Sequence, residues 1–411
     1  MSQTNGEKLR CSSNGLRGGR SLHWARSHIY ISADLHPLHH SESDSSELTE
    51  EASIMWWVPV SVFLLWSSEV SALGAPVSVS CKNDNNGDVD WYVLYKAPGT
   101  EQRTGTEYIY IDSAGQKTNS HINDANGPLA NTLRPMLGSV RTMPSTFGFL
   151  SYSDQPPGAQ AMSELFGHSK GVVMGDSSTQ TALWITHSTP RFPFRRDQNR
   201  FWPDSGKDKG QTFLCVSLPF SALKTVGEHL QRIHAYPYDY DLPGDFPSEL
   251  EKAARWETSA TGLGTLVPLQ TIGHKDLAIM AKPLGEEAKD GDLYVKLADQ
   301  LNSNVKAQTW ACQPKRDESF CDRGKKQVIN VEAIDTKDDT MKKWSSKIDH
   351  SKWAVTTESN IIWTCFGDMN RASTQYERWG GAVCIKDKNV NTAFKQYPSE
   401  TLSCGKRPYP C

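Results

Sequence analysis

The chain has 411 residues, of which 37% are hydrophobic, and its 44 Lys and Arg and 47 Asp and Glu give a formal net charge of −3 at pH 7. This composition can build a substantial core, and it excludes a chain that is fibrous, disordered throughout or multi-spanning in a membrane. A chain of this length forms one large domain or two medium ones.

The N-terminal stretch, residues 1–54, is polar and turn-rich and has no sustained apolar period. Such a composition predicts disorder if the stretch is translated. We interpret it as an upstream extension or a gene-model artefact, with the true start of the protein at Met55. His36, His39 and His40 resemble a metal-binding tract, but we interpret them as part of a solvated tail.

A hydrophobic segment follows at residues 55–73 (MWWVPVSVFLLWSSEVSAL). Its apolar run, residues 56–66, is too short to span a bilayer, and the segment ends in Ala72-Leu73-Gly74, with small residues where a signal peptidase reads the chain. We therefore predict a secretory signal peptide at residues 55–74 and no membrane span in the mature protein. A buried hydrophobic segment is the alternative, because the positively charged region typical of a signal peptide is missing.

The charge of the predicted mature chain depends on pH. Residues 1–74 hold five of the Lys and Arg and eight of the Asp and Glu, which leaves 39 of each and a formal charge near zero. Seven of the twelve His lie in this mature part, and an imidazole with its usual pKa of about 6.5 becomes charged in acid. Acidification therefore makes the mature protein cationic and increases its attraction for a polyanion such as DNA, which fits an acidic compartment.

An even number of cysteines follows the predicted signal peptide, namely Cys81, Cys215, Cys312, Cys321, Cys365, Cys384, Cys404 and Cys411. Because secreted proteins form disulfides, this count predicts a disulfide-bonded protein of the secretory pathway. None of these cysteines forms a C-x-x-C pair, so we do not expect a zinc site. The chain has no Asn-x-Ser/Thr sequon, and N-glycosylation is therefore not expected.

Strand-like runs rich in Val, Ile, Tyr and Trp alternate with helical patterns along the mature chain. The predicted strands are residues 90–96, 108–112, 171–176, 183–187, 211–219, 327–334 and 361–366. The predicted helices are residues 221–233, 247–256 and 292–301. This mixture predicts an α/β fold.

A short motif occurs twice in similar surroundings. His168-Ser169-Lys170 and His350-Ser351-Lys352 are each followed by a predicted strand and then by a tryptophan. A single His-x-Lys is a short pattern that occurs by chance in many sequences. Two copies in matching surroundings predict two pseudo-symmetric, mixed-sheet halves with one motif each, at residues 75–240 and 241–411.

Two His and two Lys are sufficient for phosphodiester hydrolysis without a metal. One imidazole attacks phosphorus and forms a phosphohistidine, the other protonates the leaving oxygen, and the Lys ammoniums bind the phosphoryl oxygens. Residues i and i+2 of a strand point to the same side, so we expect each His-x-Lys to direct both side chains at one phosphate. One imidazole must be neutral and the other charged, which favours acidic pH, and the two titrate as a coupled pair.

Longer stretches around these motifs resemble the deoxyribonuclease II family. They are residues 90–96, 153–157, 167–171, 183–193, 210–216, 349–353 and 363–371 (DWYVLYK, SDQPP, GHSKG, LWITHSTPRFP, GQTFLCV, DHSKW and WTCFGDMNR). The resemblance covers essentially all of residues 75–404, in order. Several of these stretches are long enough to be highly specific.

The resemblance implies a phospholipase D-like fold in which the two motifs meet at a pseudo-twofold site. It further implies a metal-independent, acid-optimal endonuclease without a cofactor, which cleaves double-stranded DNA to 3′-phosphate products through a phosphohistidine intermediate. A lysosomal or secreted location is implied too, with a role in clearing the DNA of engulfed or dying cells. The alpha or beta branch of the family, and a monomeric or homodimeric state, stay open.

The resemblance also assigns the residues of the site. The catalytic residues that it implies are His168, Lys170, His350 and Lys352. By analogy with phospholipase D enzymes we expect His168 to be the nucleophile and His350 the general acid, although the pseudo-symmetry leaves the reverse assignment open. Asn370 is expected either to donate a hydrogen bond to a phosphoryl oxygen or to be a turn residue. His187 is expected either to act in the site or to support the core.

The family's three disulfides correspond by position to Cys81–Cys215, Cys321–Cys404 and Cys365–Cys384. Cys312 and Cys411 are left over and are expected to form an additional bridge. Ala354 departs from the family, since relatives can have Cys at this position. The missing sequons are a second departure, and they put lysosomal sorting through glycans in doubt.

Two other functions remain compatible with the paired motifs alone. One is a phospholipase D-like phosphodiesterase that acts on a lipid or another diester, although the longer stretches favour DNA. The other is an inactive, secreted relative that binds DNA or a glycan, which is disfavoured because all four His and Lys positions are present. The basic stretch at residues 191–200 is interpreted as a solvated loop, with contact to the DNA backbone as the alternative.

Overall fold

The computed structural model of this protein describes residues 78–158, 165–194, 200–408 and 411. The predicted N-terminal extension and signal peptide, at residues 1–54 and 55–74, lie outside these residues, as does part of the basic stretch 191–200. None of the helices within the described ranges is both long and apolar enough to cross a membrane.

The first sheet contains eight strands from the N-terminal part of the described chain, after a two-stranded ribbon of β1 (Cys81–Lys82) and β2 (Asp88–Val89). Its strands are β3 (Trp91–Lys96), β4 (Tyr108–Asp112), β5 (Gly115–Asn119), β6 (Phe147–Ser153), β7 (Lys170–Asp176), β8 (Thr181–His187), β9 (Gln211–Pro219) and β10 (Pro237–Asp241). Their order across the sheet is β10-β6-β7-β8-β9-β3-β4-β5. All pairs described in this sheet are antiparallel.

The second sheet contains nine strands from the C-terminal part. They are β11 (Val267–Gln270), β12 (Asp276–Ala281), β13 (Val305–Gln308), β14 (Val328–Asp335), β15 (Lys343–Ser345), β16 (Trp353–Thr356), β17 (Trp363–Gly367), β18 (Gly381–Lys386) and β19 (Pro398–Thr401). Their order is β11-β12-β18-β17-β16-β13-β14-β15, and β19 also pairs with β14. β13 and β14 are parallel.

The second sheet is therefore mixed, as predicted, whereas the first differs from the mixed sheet that we expected. Tight turns join neighbours of the first sheet, for example β4 to β5 and β7 to β8, and a tight turn can only join antiparallel strands. The parallel pair of the second sheet is joined instead by the long connection at residues 309–327, which is a requirement of parallel pairing.

Within the described ranges, six α-helices accompany the sheets: α1 (Pro128–Leu133), α2 (Leu223–Arg232), α3 (Ser248–Ala254), α4 (Ala288–Gly291), α5 (Leu293–Gln300) and α6 (Lys388–Gln396). In α2, Leu223, Val226 and Leu230 are buried at helical spacing. These residues belong to the same hydrophobic cluster as Val216 of β9 and Ile279 of β12. Helix α2 therefore contributes to a core that the two sheets share.

An aromatic cluster also joins the two sheets. The ring of Tyr95, in β3, lies 5.5 Å from Trp344, 6.3 Å from Trp353 and 5.8 Å from Phe394, measured between ring centroids. Each such aromatic pair contributes on the order of 1 kcal/mol beyond the burial of its area. The cluster thus fixes the second sheet, near its His-x-Lys motif, against the first.

Four disulfides connect distant parts of the chain. They are Cys81–Cys215, Cys312–Cys411, Cys321–Cys404 and Cys365–Cys384, which are the four pairs expected above. The first joins the N-terminal ribbon to β9, and the last joins β17 to β18 at residues that are direct register partners. Two bridges hold the C-terminal segment, because their second cysteines lie after the last strand.

The predicted α/β fold is confirmed, and the predicted strands and helices agree with the structure to within a few residues. We expected both His-x-Lys motifs to lie within strands, and this expectation is wrong for three of the four His and Lys residues. Lys170 is the first residue of β7, whereas His168 precedes that strand and both His350 and Lys352 precede β16. The first motif joins the ladder only at Lys170, and the second joins it only after Lys352, because the backbone N–H of each His is bonded to a loop instead.

Candidate active site

The first motif lies at the start of a central, fully buried strand. Lys170 begins β7, which lies between β6 and β8, and Lys170 is itself buried. Because β6 and β7 are antiparallel with Ser153 opposite Lys170, the residue that follows β6 comes next to the motif. That residue is Asp154.

The Asp154 carboxylate binds both side chains of the first motif. Its Oδ2 lies 2.7 Å from Nδ1 of His168, and its Oδ1 accepts a hydrogen bond of 2.5 Å from Nζ of Lys170. Arg378 reaches the same carboxylate, since its Nη2 donates to Oδ2 at 2.9 Å. Asp154 therefore joins the first motif to the loop before β18 of the second sheet.

The charges around Asp154 decide its ionisation. Burial alone raises the pKa of this carboxyl, but Lys170, His168 and Arg378 outweigh burial and hold its pKa well below the usual range. An ionised carboxylate only accepts hydrogen bonds, so Nδ1 of His168 carries a proton and its Nε2 has a free lone pair when the ring is neutral. Burial and the charge of Lys170 lower the pKa of His168 to about 3, against the opposing effect of Asp154.

The second motif is held by a different carboxylate. Asp349 is fully buried, and its Oδ2 accepts hydrogen bonds from the Tyr95 hydroxyl at 2.6 Å and from Nε1 of Trp344 at 2.7 Å. Its Oδ1 accepts the backbone N–H of Ser351 at 2.8 Å. Asp349 thus fixes the backbone on both sides of His350, and it does so partly through Tyr95 of the first sheet.

Lys352 is a buried ammonium with a perturbed acidity. Its Nζ donates to the backbone oxygen of His350 at 2.7 Å, and the residue is only 6% exposed. Burial first, and then the charge of Lys170, lower the pKa of Lys352 to about 7. The effect of Lys170 shows that the two lysines of the two motifs lie within electrostatic range of one another.

His350 has an aromatic neighbour where His168 has a carboxylate. Its ring lies 4.5 Å from the ring of Trp310, and its Nε2 is buried without a hydrogen-bond partner among the described residues. Burial, then Lys352 and Lys209, and then His168 and Lys170 lower the pKa of His350 to about 3. The structure therefore brings the four His and Lys of the two motifs into one site.

Asn370 supports the tryptophan that lies against His350. Its Oδ1 accepts the backbone N–H of Trp310 at 3.2 Å, and its own N–H donates to Oε1 of Gln375 at 3.0 Å. The indole of Trp310 is also fixed, because its Nε1 donates to the backbone oxygen of Lys347 at 2.9 Å. Asn370 is therefore linked to the site through Trp310. This contact differs from both expected roles, which were a hydrogen bond to a phosphoryl oxygen and a turn residue.

His187 lies at the end of β8, beside the start of β7. Its ring packs against Phe192 and Phe213, with centroid distances of 4.8 and 5.5 Å. Burial and then the charge of Lys170 hold its pKa well below the usual value. These contacts favour the core-supporting role, in the strand next to the first motif.

Several residues of the site were not among the predicted ones. Asp154 and Arg378 surround His168, Asp349 and Trp310 surround His350, and Asp368 lies within electrostatic range of both lysines. Burial raises the pKa of Asp368 to about 7, although the N–H of Gly381 donates to its Oδ2 at 2.8 Å. Asp154, Asp349 and Asp368 lie in stretches that resembled the family, so the signal was present, but their partners depend on the fold.

No group of three or more His, Cys, Asp and Glu side chains suited to a metal ion occurs in the part of the chain that the structure describes. The site instead consists of imidazoles and ammoniums with one ionised carboxylate between them. Two imidazoles provide a nucleophile and an acid, and the ammoniums balance negative charge on phosphoryl oxygens. The α/β fold and this site define a hydrolase for phosphodiesters.

Comparison with known proteins identifies the family. The model of the Deoxyribonuclease II family matches residues 80–404. Plancitoxin-1 of Acanthaster planci is 31% identical over 349 residues, which cover 81% of this chain and 94% of the relative. Deoxyribonuclease-2-alpha of Mus musculus is also 31% identical over 349 residues, which cover 80% and 94%. This chain belongs to the deoxyribonuclease II family, and the predicted class of hydrolytic nuclease is confirmed.

Among solved structures, yeast tyrosyl-DNA phosphodiesterase aligns with 55% of this chain and 68% of its own, at 9% identity and a TM-score of 0.28. This similarity is too low to bear on the fold. The phospholipase D-like fold and the pseudo-symmetry of the two halves therefore stay predictions.

Proposed function

We propose that this protein is a metal-independent acid endonuclease that hydrolyses DNA phosphodiesters to 3′-phosphate and 5′-hydroxyl ends. The observation that carries the proposal is the pairing of unlike histidines in one site. His168 has Nδ1 bound to an ionised carboxylate, whereas His350 has no carboxylate partner among the described residues and a buried, unpaired Nε2.

In the first step, Nε2 of His168 attacks phosphorus and the bond between phosphorus and O5′ breaks. His350, as an imidazolium, transfers its proton to the departing O5′. The phosphoryl group, which is still esterified to the 3′ oxygen of the DNA, remains bonded to Nε2 of His168 as a phosphohistidine. In the second step, His350 takes a proton from a water molecule as that water attacks phosphorus. The phosphorus–nitrogen bond breaks, and the product keeps the phosphate on its 3′ oxygen.

The remaining residues of the site stabilise charge during these steps. Asp154 compensates the positive charge that develops on the His168 ring once its Nε2 is bonded to phosphorus. Lys170 and Lys352 neutralise the phosphoryl oxygens as negative charge grows on them. The charges of Lys170 and Arg378, together with the hydrogen bond from His168, keep Asp154 ionised, so it cannot protonate the nucleophile.

The acid requirement follows from two lowered pKa values. Lys352, with a pKa of about 7, is an ammonium in acid and loses its charge as the pH rises through neutrality. The pKa of His350, about 3 in the free site, must rise before this residue can be the acid, and a bound phosphodiester anion raises it. Both effects favour catalysis below neutral pH.

Location, substrate form and chain organisation complete the proposal. We place the protein in lysosomes or outside the cell, where it degrades double-stranded DNA from engulfed or dying cells. The four disulfides are consistent with passage through the secretory pathway. Residues 75–240 and 241–411 are proposed to be the two phospholipase D-like halves, in a monomer or homodimer.

The proposal is tested by plasmid nicking at pH 5 in excess chelator, with the parent protein, His168→Ala and His350→Ala. We expect nicking that persists in chelator and that each of the two variants abolishes, while His121→Ala, an exposed histidine outside the site, leaves it unchanged. End-labelling should show 3′-phosphates. Nicking that requires added metal contradicts the mechanism, and hydrolysis of a lipid diester without nicking selects the alternative phosphodiesterase. DNA binding without cleavage of either substrate selects the inactive relative.

A further inference from the structure

Each catalytic histidine is bonded through its backbone to a loop of the opposite sheet. The N–H of His168 donates to the backbone oxygen of Trp379 at 3.0 Å, and the N–H of His350 donates to the backbone oxygen of Gly210 at 2.9 Å. Gly210 also donates its own N–H to the oxygen of Ile348 at 3.0 Å and forms an isolated parallel bridge with Asp349. Neither histidine is therefore placed by its own sheet alone.

The two loops occupy the same position in the two sheets. β7, β8 and β9 are consecutive neighbours in the first sheet, and Gly210 immediately precedes β9. β16, β17 and β18 are consecutive neighbours in the second, and Trp379 lies two residues before β18. In each sheet, the strand that follows the motif is the first of three neighbouring strands. The loop before the third of these strands carries the carbonyl that accepts the backbone N–H of the histidine in the other sheet.

We propose that these two loops are crossed clamps, in which Gly210 positions His350 and the pair Arg378 and Trp379 positions His168, so that the two imidazoles keep a fixed mutual geometry. This inference rests on the proposed function, since it assigns positioning residues to that reaction. A clamp defined in this way affects the rate of the chemical step more than the binding of DNA. Displacement of a reacting group by about 1 Å lowers rates by about 100-fold.

Gly210 is fitted closely against the second motif. A Cβ at this position would lie 2.6 Å from Cγ of Asp349, closer than real Cβ atoms approach another carbon. Asp349 has no room to yield, because it is fully buried and its oxygens are bonded to Tyr95, Trp344 and Ser351. A side chain at residue 210 must therefore displace the backbone that carries His350.

The second clamp is anchored by two side chains. Arg378 is ion-paired with Asp154, and the indole of Trp379 stacks on His234 with ring centroids 3.7 Å apart and an interplanar angle of 12°. Gly167, next to His168, allows this approach, since a Cβ there would overlap the oxygen of Ile233 and lie 3.3 Å from the oxygen of Trp379. The carbonyl that receives the His168 N–H is thus fixed from both sides.

The test compares two substrates, plasmid DNA and the 4-nitrophenyl ester of thymidine 3′-phosphate. Nitrophenolate leaves without a proton, so its first-turnover release needs the nucleophile but not the general acid. We expect Gly210→Ala to lower plasmid nicking by about 100-fold and nitrophenolate release by less than about threefold. His350→Ala should abolish nicking and lower nitrophenolate release to the same small extent. Gly244→Ala is the matched control, because a Cβ at Gly244 meets no atom within 4 Å.

A second variant tests the other clamp and does not depend on the folding of Gly210→Ala. Arg378→Ala should lower both reactions, as His168→Ala does, and Arg378→Lys should restore part of both. Unchanged nicking in Gly210→Ala, or equal losses on both substrates, overturns the clamp at Gly210. If His350→Ala itself loses both reactions, the proposed role of His350 fails instead. In that case, the clamp at Gly210 predicts that Gly210→Ala also loses both plasmid nicking and nitrophenolate release while it keeps the parental melting temperature. A lowered melting temperature of Gly210→Ala would overturn the clamp.

Discussion

The rings of the two site histidines have different partners. His168 is bonded to Asp154, which fixes the proton on its Nδ1, while His350 lies against Trp310. A ring whose tautomer is fixed by a carboxylate has its other nitrogen ready to attack, and a ring without one is free to gain and lose a proton. This difference favours His168 as the nucleophile and His350 as the acid.

Asp154→Asn tests this assignment at nearly constant size. An amide at this position can donate to Nδ1 of His168, which places the proton on Nε2 and removes the attacking lone pair. We expect kcat for plasmid nicking at pH 5 to fall by about 100-fold or more. Asp245→Asn, at an exposed loop position, should leave kcat unchanged. An Asp154→Asn protein with parental kcat would remove Asp154 from the mechanism.

Lys352→Arg tests the origin of the acid optimum. The pKa of Lys352 is about 7, so the ammonium is present below that pH and is lost above it. A guanidinium stays charged throughout, so activity that depends on charge at residue 352 should persist to higher pH even if the maximal rate is lower. The measurement is kcat/KM for nicking between pH 4 and 9. An alkaline limb at the parental pH would assign the decline to another group.

At the scale of elements, antiparallel register assembles the site. The end of β6 meets the start of β7, so Asp154 comes beside Lys170 although sixteen residues separate them. The loop before β18 then adds Arg378 to the same carboxylate. Strand pairing, more than sequence proximity, therefore determines which charges surround each histidine.

The disulfide Cys321–Cys404 links elements that lie outside this site. It joins the connection before β14 to the segment after β19, across a sequence separation of 83 residues. Replacing both cysteines with Ser should lower the free energy of unfolding by about 2–5 kcal/mol, because the unfolded chain gains conformational freedom. Thermal unfolding measures the loss, and plasmid nicking at 25 °C should be unchanged. Loss of nicking in a folded double variant would place this bridge in the active site.

At the scale of the whole molecule, we expect electrostatic attraction to bring DNA to the site. Residues 75–411 are close to neutral at pH 7 by their formal charges, so we expect local cations to contact the phosphates. We expect Lys209 to be one such cation, because its charge lowers the pKa of His350 and it precedes the clamp residue Gly210. The basic stretch at residues 191–200, interpreted as a solvated loop with contact to the DNA backbone as the alternative, lies partly outside the described residues.

Lys209→Ala should weaken DNA binding without sequence preference. One phosphate contact fewer reduces the slope of log Kd against log salt by about one. Fluorescence anisotropy with labelled duplexes at several salt concentrations measures this slope, using His350→Ala as the background to prevent cleavage. Lys325→Ala, in an exposed turn, is the control and should keep the parental slope. A Lys209→Ala slope equal to the parental one would separate Lys209 from the substrate.

Much of the fold and half of the site were predictable from local patterns. The strands at residues 91–96 and 211–219 are rich in aromatic and aliphatic residues, and the helix around Leu223 has a helical period of apolar residues, so burial follows these patterns directly. The repeated His-x-Lys identified the four groups with the right chemistry. Asp154 and Arg378 were missed because an aspartate or an arginine has no local pattern that reveals its partner.

What the sequence determined by itself is the chemistry: the two imidazoles and two ammoniums of the repeated motif, eight cysteines after residue 74, and an alternation of strands and helices. Only the tertiary structure decided that both histidines precede their strands, that one carboxylate serves only one of the histidines, and that each histidine is held by the opposite sheet. The reason is physical. Residue type sets what a side chain can donate, accept or titrate, whereas pKa and geometry depend on burial and on charges from distant segments, which strand pairing and packing bring together.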